Sequence, residues 1–466
     1  MNVLIIAANG REHALATMYA KSKKVKKVVM TPGNGLTDFE NSKIKNYLDV
    51  DMMDFNKIVE VCKKEKIDLV DVAQDDAIAA GFVEKFEKLG IKAFGPTQKA
   101  SQLEWDKEWA RNFMMKYGLP IPEFKSFSNH EEAIIYINST SNKLLFIKAA
   151  GLAMGKGVIR AENKNEAIEA VKEMKTFGKS GETFLIEEGL IGEEFSLFVL
   201  CDGKDYQIVS WAQDHKTVYD GDVGPNTGGM GSVAPAAVVN QKVVIEVEEK
   251  IIKPLMDGMK KEGRPYKGVL YLGGMIVKDE SYSSNEVRSS RVTRTINPQV
   301  KVIEFNCRWG DPEAEVILPS IETDYVDVVD AILSGNLHKL KIKIDNKVRV
   351  SVAGCSRGYP TNYSMVKGKE IFGLVQAMEL PGVIIFGAGI KREGKPARNA
   401  LQSGAGGRFF ANGGRIFHIV GEGETILQAR VRAYGAMAMI FIEGNNLHYR
   451  TDIGWRDSAR MRGQKI

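Results

Sequence analysis

Short apolar runs recur through the first hundred residues, each followed by a stretch with hydrophobic positions at helical spacing. Residues 3–8 (VLIIAA) are uninterrupted apolar and lead into Asn9-Gly10-Arg11-Glu12-His13, the pattern of a buried strand, a tight turn and a helix start. Further strands are predicted at 28–30, 68–73 and 91–94, alternating with helices over 55–65 and 79–89. This alternation predicts a small parallel α/β domain over residues 1–100. Its first turn aims free backbone N–H groups at whatever sits above it, which suits an anion. The turn reads AANGRE and lacks the GxGxxG spacing that a dinucleotide pyrophosphate needs, which argues against an oxidoreductase built on this domain.

Gly95-Pro96 closes that unit, and 99–117 reads as one helix ending at Gly118-Leu119-Pro120. The stretch 144–158, LLFIKAAGLAMGKGV, is an apolar strand carrying Lys148, then a loop with Gly151, Gly155 and Gly157 around Lys156. Glycines let backbone fold closely over an oxyanion. The Walker spacing is present, but Gly157 stands where Ser or Thr belongs and no helix follows, so a β-hairpin is expected. Strands follow at 183–188, from 192, at 269–277 and at 300–305. Residues 213–231 (QDHKTVYDGDVGPNTGGMG) are too rich in Gly, Asp and Asn for regular structure and read as a long binding loop. Residues 281–298, rich in Ser and Arg, read as a solvated insertion. A helix at 325–333 precedes a third region with strands at 347–354, 382–388, 406–411 and 415–420, a helix over 424–439, and an aromatic, basic tail at 449–460 that docks on the body.

The densest chemistry lies in 302–313, VIEFNCRWGDPE. Strand alternation sends Glu304 and Asn306 to one face and Phe305 and Cys307 to the other. Two hard oxygen ligands on one face suit a magnesium ion bridging phosphates. Arg308 and Asp311 follow where the strand ends.

Composition narrows the class. The 466 residues suggest three or four domains or subdomains, and 44% hydrophobic with 26% charged residues is ordinary for a globular protein. No apolar run reaches the roughly 18 residues of a membrane span. A net charge of +5 fits small anionic ligands as well as nucleic acid, and the arginines of 281–298 are better read as surface than as a nucleic-acid contact. Cys62, Cys201, Cys307 and Cys355 form no CxxC pair, which points away from zinc ribbons and disulfides and toward a reducing cytoplasm.

Taken together, NGREHALA (9–16), FGPT (94–97), IKAAGLAMGKGV (147–158), QDHK (213–216), GPNTGGMG (224–231), EFNCRWGDPE (304–313), NGGR (412–415) and DIGWR (452–456) resemble the phosphoribosylamine-glycine ligase family of ATP-grasp enzymes in purine biosynthesis. The resemblance covers nearly the whole chain. It implies a multidomain fold of α/β and α+β type: an N-terminal parallel α/β domain (1–100), an ATP-grasp domain (101–335) and a C-terminal mixed α/β domain (336–466). It implies that Lys107, Lys148 and Lys156 hold ATP phosphates, that Glu187, Glu188 and Leu190 take adenine, and that Glu194 takes the ribose. Glu304 and Asn306 would bind Mg²⁺ or Mn²⁺. Arg308, Asp311, Asp214 and His215 would serve the reaction, and Gly10, Asp75, Asn226, Thr227, Gly228, Gly229 and Arg415 the other substrates. The expected partners are ATP, glycine and 5-phosphoribosylamine, without nucleic acid or membrane, in a monomer.

The chain departs from the family pattern at Ala8 for Gly, at Ala73-Gln74-Asp75-Asp76-Ala77 for GPEAP, at Ala150 for an acid, and in the 281–298 insertion. These changes bear on the ribose-phosphate end more than on phosphoryl transfer. Joining a carboxylate to an amine in water needs an acyl phosphate, which calls for metal, cations and a water-excluding cover but no protein nucleophile. The chain shows no Ser-His-Asp spacing. Alternative readings are an ATP-grasp ligase with another carboxylate and amine, and a non-catalytic nucleotide-binding relative. Activity across substrate pairs separates the first, and retention of Lys107, Lys148, Glu304, Asn306 and Arg308 argues against the second.

Overall fold

The computed structural model describes residues 1–39, 41–141, 144–153, 157–277, 299–394 and 407–464. Lys156 and the 281–298 segment lie outside the described residues.

The N-terminal sheet is parallel throughout, with strands in the order Ile44–Asn46, Lys27–Pro32, Asn2–Ala7, Leu69–Asp71, Lys92–Phe94. The chain order reverses beside Asn2–Ala7. In such sheets ligands bind outside the carboxyl ends of the strands at that switch point. There the turn into the helix Gly10–Lys21 and the helix Asp75–Ala79 emerge side by side. The helix expected over 79–89 breaks at Gly81, which adopts φ 72 and restarts the chain as Phe82–Lys88. The helix expected over 99–117 is likewise two, Gln102–Trp105 and Lys107–Lys116. Extended Asp106 separates them and caps the second by accepting from the Trp109 N–H.

A second, antiparallel sheet runs Phe124–Phe127, Phe184–Glu188, Leu145–Ala149, Val158–Ala161, so the strands around the glycine loop form the expected hairpin. The helices His130–Ser139 and Lys164–Glu173 bury their apolar residues against it.

The largest sheet is antiparallel and runs Gln299–Asn306, Lys267–Val277, Gly192–Asp202, Tyr206–Asp214, Gly231–Ala234, Val348–Ser356, Arg415–Gly423, Val383–Gly387. It therefore continues from the central region into the C-terminal region without a break at residue 335. Strand periodicity divides Gly192–Asp202 between two cores: Phe195, Leu197, Val199 and Cys201 face the helices Gln241–Val247 and Lys253–Lys261, while Phe198 and Leu200 face the opposite core with the helix Tyr325–Leu333. On that second face the strand presents Glu194 and Ser196 at its open end. The 213–231 stretch is more regular than its composition suggested. Thr217–Tyr219 pairs with Val223–Asn226 across a turn in which Gly221 and Asp222 both take positive φ, the geometry of a tight hairpin.

One irregularity positions the site. Opposite Lys267–Val277, Gly273 pairs with Glu304 but Gly274 pairs with Val302, leaving Ile303 as an extra residue. Val300 and Val302 lie in the apolar core, and so do Phe305 and Cys307. A strict two-residue period from Val302 would have buried Glu304 there. The bulge shifts the parity and turns Glu304 and Asn306 away from the core together.

Candidate active site

Glu304 stands among four cations. Burial alone would raise its pKa, but Lys216, Lys148, Lys107 and Arg308 outweigh it and hold the carboxyl below its usual range. Each cation is positioned by an acid or a carbonyl. Lys107, at the start of its helix, donates to the Gly151 carbonyl at 3.1 Å; burial lowers its pKa, with Glu304 opposing. Lys148 Nζ lies 2.6 Å from Glu187 Oε2, and Lys216 Nζ 2.9 Å from Glu194 Oε2. Burial opposes the charge on Lys216, yet Glu194, Tyr271, Glu304 and Asp214 keep it protonated. The cleft beside them is walled by Ser196, Tyr271 and Ile303.

Arg308 Nη2 lies 3.1 Å from Glu104 Oε1 and donates to Asn306 Oδ1 at 3.3 Å. Burial works against its charge; Glu104, Asp75 and Glu313 restore it and push its pKa up. Asp75 thus brings the N-terminal switch point to the same cleft. Asp214 is half-buried, and its Oδ1 is buried and unpaired among the described residues. Burial and Glu313 raise its pKa well above the usual range, with Lys216 and Arg415 opposing.

Arg415 ties the long loop to the 302–313 string. Its Nη1 donates to the Gly228 carbonyl at 2.6 Å and to the Asp311 carbonyl at 2.9 Å, and lies 2.9 Å from Asp311 Oδ1. Thr227 N–H donates to the Lys216 carbonyl at 2.8 Å, Gly229 N–H to Thr227 Oγ1 at 3.0 Å, and Gly228 N–H to the Tyr359 hydroxyl at 3.1 Å. Gly229 has φ 109, and a Cβ there would meet Pro312 and Asp214 Oδ1, so backbone passes closely over the acid. Asn226, at the end of its hairpin strand, is exposed.

The candidate residues do not all converge. Glu187 is buried with its carboxylate spent on Arg111 and Lys148. Glu188 accepts from Lys301 at 2.7 Å and from the Glu123 N–H at 3.1 Å. Leu190 lies just past that strand, half-buried. His215 faces a different environment from its neighbour Asp214: Gly454 N–H donates to its Nε2 at 3.3 Å, and Arg450, Arg456, Asp222 and Asp452 surround it. Burial takes its pKa down to about 4, so it is neutral and docks the C-terminal segment.

Sequence reasoning passed over several residues that the fold brings in. Arg111 sits one helical turn after Lys107 on the same face, a spacing that was visible. Glu104, which orients Arg308, and Tyr359, which receives Gly228, carried no local signal. Glu315 and His418 are fully buried, and neither has a hydrogen-bond partner for its side chain among the described residues. Gly10 lies against both; a Cβ there would collide with Glu315 Oε1 and His418 Cδ2.

Models of the N, ATP-grasp and C domains of phosphoribosylglycinamide synthetase match residues 1–104, 105–314 and 349–456. Phosphoribosylamine–glycine ligase of Streptococcus pneumoniae is 38% identical over 457 residues, 97% of this chain and 99% of its own length. The trifunctional purine biosynthetic protein adenosine-3 of Bos taurus is 40% identical over 98% of this chain, which spans 42% of that relative's length. A crystal structure of phosphoribosylamine–glycine ligase from Thermotoga maritima superposes with a TM-score of 0.76 at 30% identity, covering 97% of this chain and all of its own. With three domain models in order and a relative matched end to end, the chain belongs to the phosphoribosylglycinamide synthetase family.

Proposed function

We propose that the chain is the ligase that joins glycine to 5-phosphoribosylamine at the expense of ATP, giving glycinamide ribonucleotide, ADP and phosphate in purine biosynthesis. The observation that carries this reading is the bulge that turns Glu304 and Asn306 out of the core into a cleft held by Lys107, Lys148, Lys216 and Arg308. A carboxylate and an amide oxygen on one face are hard donors that fit a divalent ion, Mg²⁺ or Mn²⁺, shared with ATP phosphates. Such an ion neutralises charge on the transferring phosphoryl group.

The residues then divide the work. Lys107 and Lys148 bind phosphate oxygens, with Lys156 completing the set. The backbone of 187–190 receives adenine, while the Glu187 carboxylate aims Lys148; Glu188 and Leu190 border the base, and Glu194 takes the ribose. A carboxylate oxygen of glycine attacks the γ-phosphorus as the bond to ADP breaks, forming glycyl phosphate. The amine of phosphoribosylamine attacks the carbonyl carbon, loses a proton and expels phosphate carrying one glycine oxygen. Arg308 and Asp311 hold the reacting groups in line, and Asp214, whose pKa burial and Glu313 raise, lies beside them for a hydrogen bond. Asn226, Thr227, Gly228 and Gly229 cover them, with Arg415 locking that cover to Asp311. Gly10 and Asp75, at the switch point, face the ribose phosphate. His215 supports the loop from behind. The working units are 1–100, 101–335 and 336–466, in a cytoplasmic monomer acting on small molecules.

ADP release that requires both glycine and phosphoribosylamine tests the reaction. Glycine labelled with ¹⁸O in its carboxylate tests the intermediate: one labelled oxygen should appear in the released phosphate. Label-free phosphate, or ADP release indifferent to either substrate, overturns the reading.

A further inference from the structure

Between Asp311, Gly10 and the C-terminal sheet, three ligand-type side chains converge without bonding to one another. His418 Nε2 lies 3.6 Å from Asp311 Oδ1 and 3.7 Å from Glu315 Oε1. These separations are too long for hydrogen bonds. Both Glu315 oxygens and both His418 nitrogens are buried without a hydrogen-bond partner among the described residues, and Asp311 Oδ1 has only the Arg415 guanidinium, 2.9 Å away. Leaving one such group unsatisfied costs about 1–3 kcal/mol, more if charged, so His418 Nε2 and Glu315 Oε1, buried and facing each other at 3.7 Å, are expensive unless something lies between them.

The fold builds the convergence deliberately. Asp311 and Glu315 lie one helical turn apart at the entry to the helix Ala314–Ile317. His418 comes from the middle of the strand Arg415–Gly423, flanked by Ala353 and Phe386 on the neighbouring strands. Gly10 closes the third side, and only the absence of its side chain leaves room for Glu315 and His418. The charged neighbours are Arg415, 2.9 Å from Asp311 Oδ1, and Glu12, a buried acid beside Asp311 that is paired with Arg11.

The distances select an occupant. Ligand atoms about 2.1 Å from a tetrahedral ion lie about 3.4 Å from each other, close to the observed spacing. One imidazole with two carboxylates is a borderline donor set, suited to Zn²⁺ or a similar transition ion more than to Mg²⁺. Two carboxylates also balance a dication. We propose that Asp311, Glu315 and His418 form a buried site for one divalent transition-metal ion, distinct from the ion on ATP, which ties the 302–315 segment to the C-terminal sheet behind the first helix. This inference does not rest on the ligase reading. The site fixes the orientation of Asp311 from behind.

The test uses the full chain, stripped with chelator and titrated with Co²⁺, whose visible d–d absorption reports coordination without any turnover. Wild type should bind one equivalent with a visible band, and Zn²⁺ should displace it and raise the melting temperature. Glu315→Gln and His418→Asn should each lose the band, weakening binding by about 100-fold or more, beyond the 10–100-fold that residues behind a ligand contribute. Glu315→Gln keeps the side-chain shape, so it reports even where the histidine variant folds poorly. Glu304→Gln should keep the band. So should Asp205→Asn, which disables the exposed group formed by Asp202, Asp205 and His338. Folded wild type that binds no Co²⁺, as a water-filled cavity would, overturns the proposal. So does a band that persists in both Glu315→Gln and His418→Asn.

Discussion

Arg111 grips Glu187 through two parallel contacts, Nε to Oε1 at 2.6 Å and Nη2 to Oε2 at 2.8 Å, and Lys148 shares the second oxygen. Both partners of the Arg111–Glu187 pair are almost wholly buried, at 3% and 2% exposure. Such a pair contributes little against an apolar replacement, but breaking it strands a buried charge at about 3–5 kcal/mol. Lys148 still faces the Glu187 carboxylate, so Arg111→Ala is expected to lose up to about that much in urea denaturation at neutral pH. It should also weaken ATP binding, because Lys148 loses the anchor of its partner. Burial would raise the Glu187 pKa, but Arg111 and Lys148 bring it down to about 2. The stabilisation is present above the unfolded value near 4.5 and is lost as pH falls toward 2. A variant within about 1 kcal/mol of wild type would remove Glu187 from this role.

Asp71 behaves in the opposite sense. It ends its strand beneath the switch point, 2% exposed, and Tyr19 Oη donates to it at 2.8 Å. Burial raises its pKa to about 7, with the Tyr19 hydrogen bond opposing. Between pH 4 and 7 the folded chain keeps a proton that the unfolded chain has released, so stability falls as pH rises and is flat above 7. At about 1.4 kcal/mol per pH unit the loss accumulates to about 3–4 kcal/mol. Asp71→Asn should flatten that slope and melt higher than wild type at pH 8. Melting temperatures of both proteins across this range decide it; parallel curves would show that Asp71 does not titrate there.

The contrast between these two acids shows what a sequence carries. The helix Phe55–Glu65 and the parallel N-terminal sheet were legible, because hydrophobic period and turn chemistry are local. The face shared by Glu304 and Asn306 was legible from alternation, but its cause was not: an extra residue at Ile303 is invisible until the partner strand is known. The break at Gly81 was available in the residue itself and lost to the apolar pattern around it. His215 was singled out from its neighbours in sequence, whereas its actual neighbours are Gly454 and Arg450, far along the chain. Glu315 and His418 had no motif to announce them, since burial and distance alone make them a pair.

Glu304→Gln removes one charge from a cleft holding Lys107, Lys148, Lys216 and Arg308, and keeps the shape of the side chain. Metal and charge stabilisation at a phosphoryl centre supplies several kcal/mol, so turnover should fall by about 100-fold or more. Secondary structure should persist, because the bulge and its apolar neighbours Val302 and Phe305 are untouched. Steady-state ADP release beside far-ultraviolet circular dichroism checks both halves. Near-normal turnover would sink the assignment of Glu304 to the metal.

Arg308 offers the sharpest separation of binding from chemistry. Its guanidinium is held by Glu104 and the Asn306 side chain at the end of the strand. Asp75 and Glu313 add to the field that keeps it charged. The fold thus restrains it in one orientation, the condition under which a cation stabilises charge as it develops instead of charge already bound. Removing an interaction made chiefly in the transition state lowers kcat and kcat/KM together. Arg308→Ala should therefore cut kcat by about 100- to 1,000-fold, the loss of one preorganised donor, while the KM for ATP changes by less than about fivefold. Glu104→Gln, which removes the partner and leaves the arginine, should give a smaller fall in kcat of the same kind. If the KM for ATP rises as steeply as kcat falls in either variant, Arg308 binds the nucleotide instead of aligning the reacting groups.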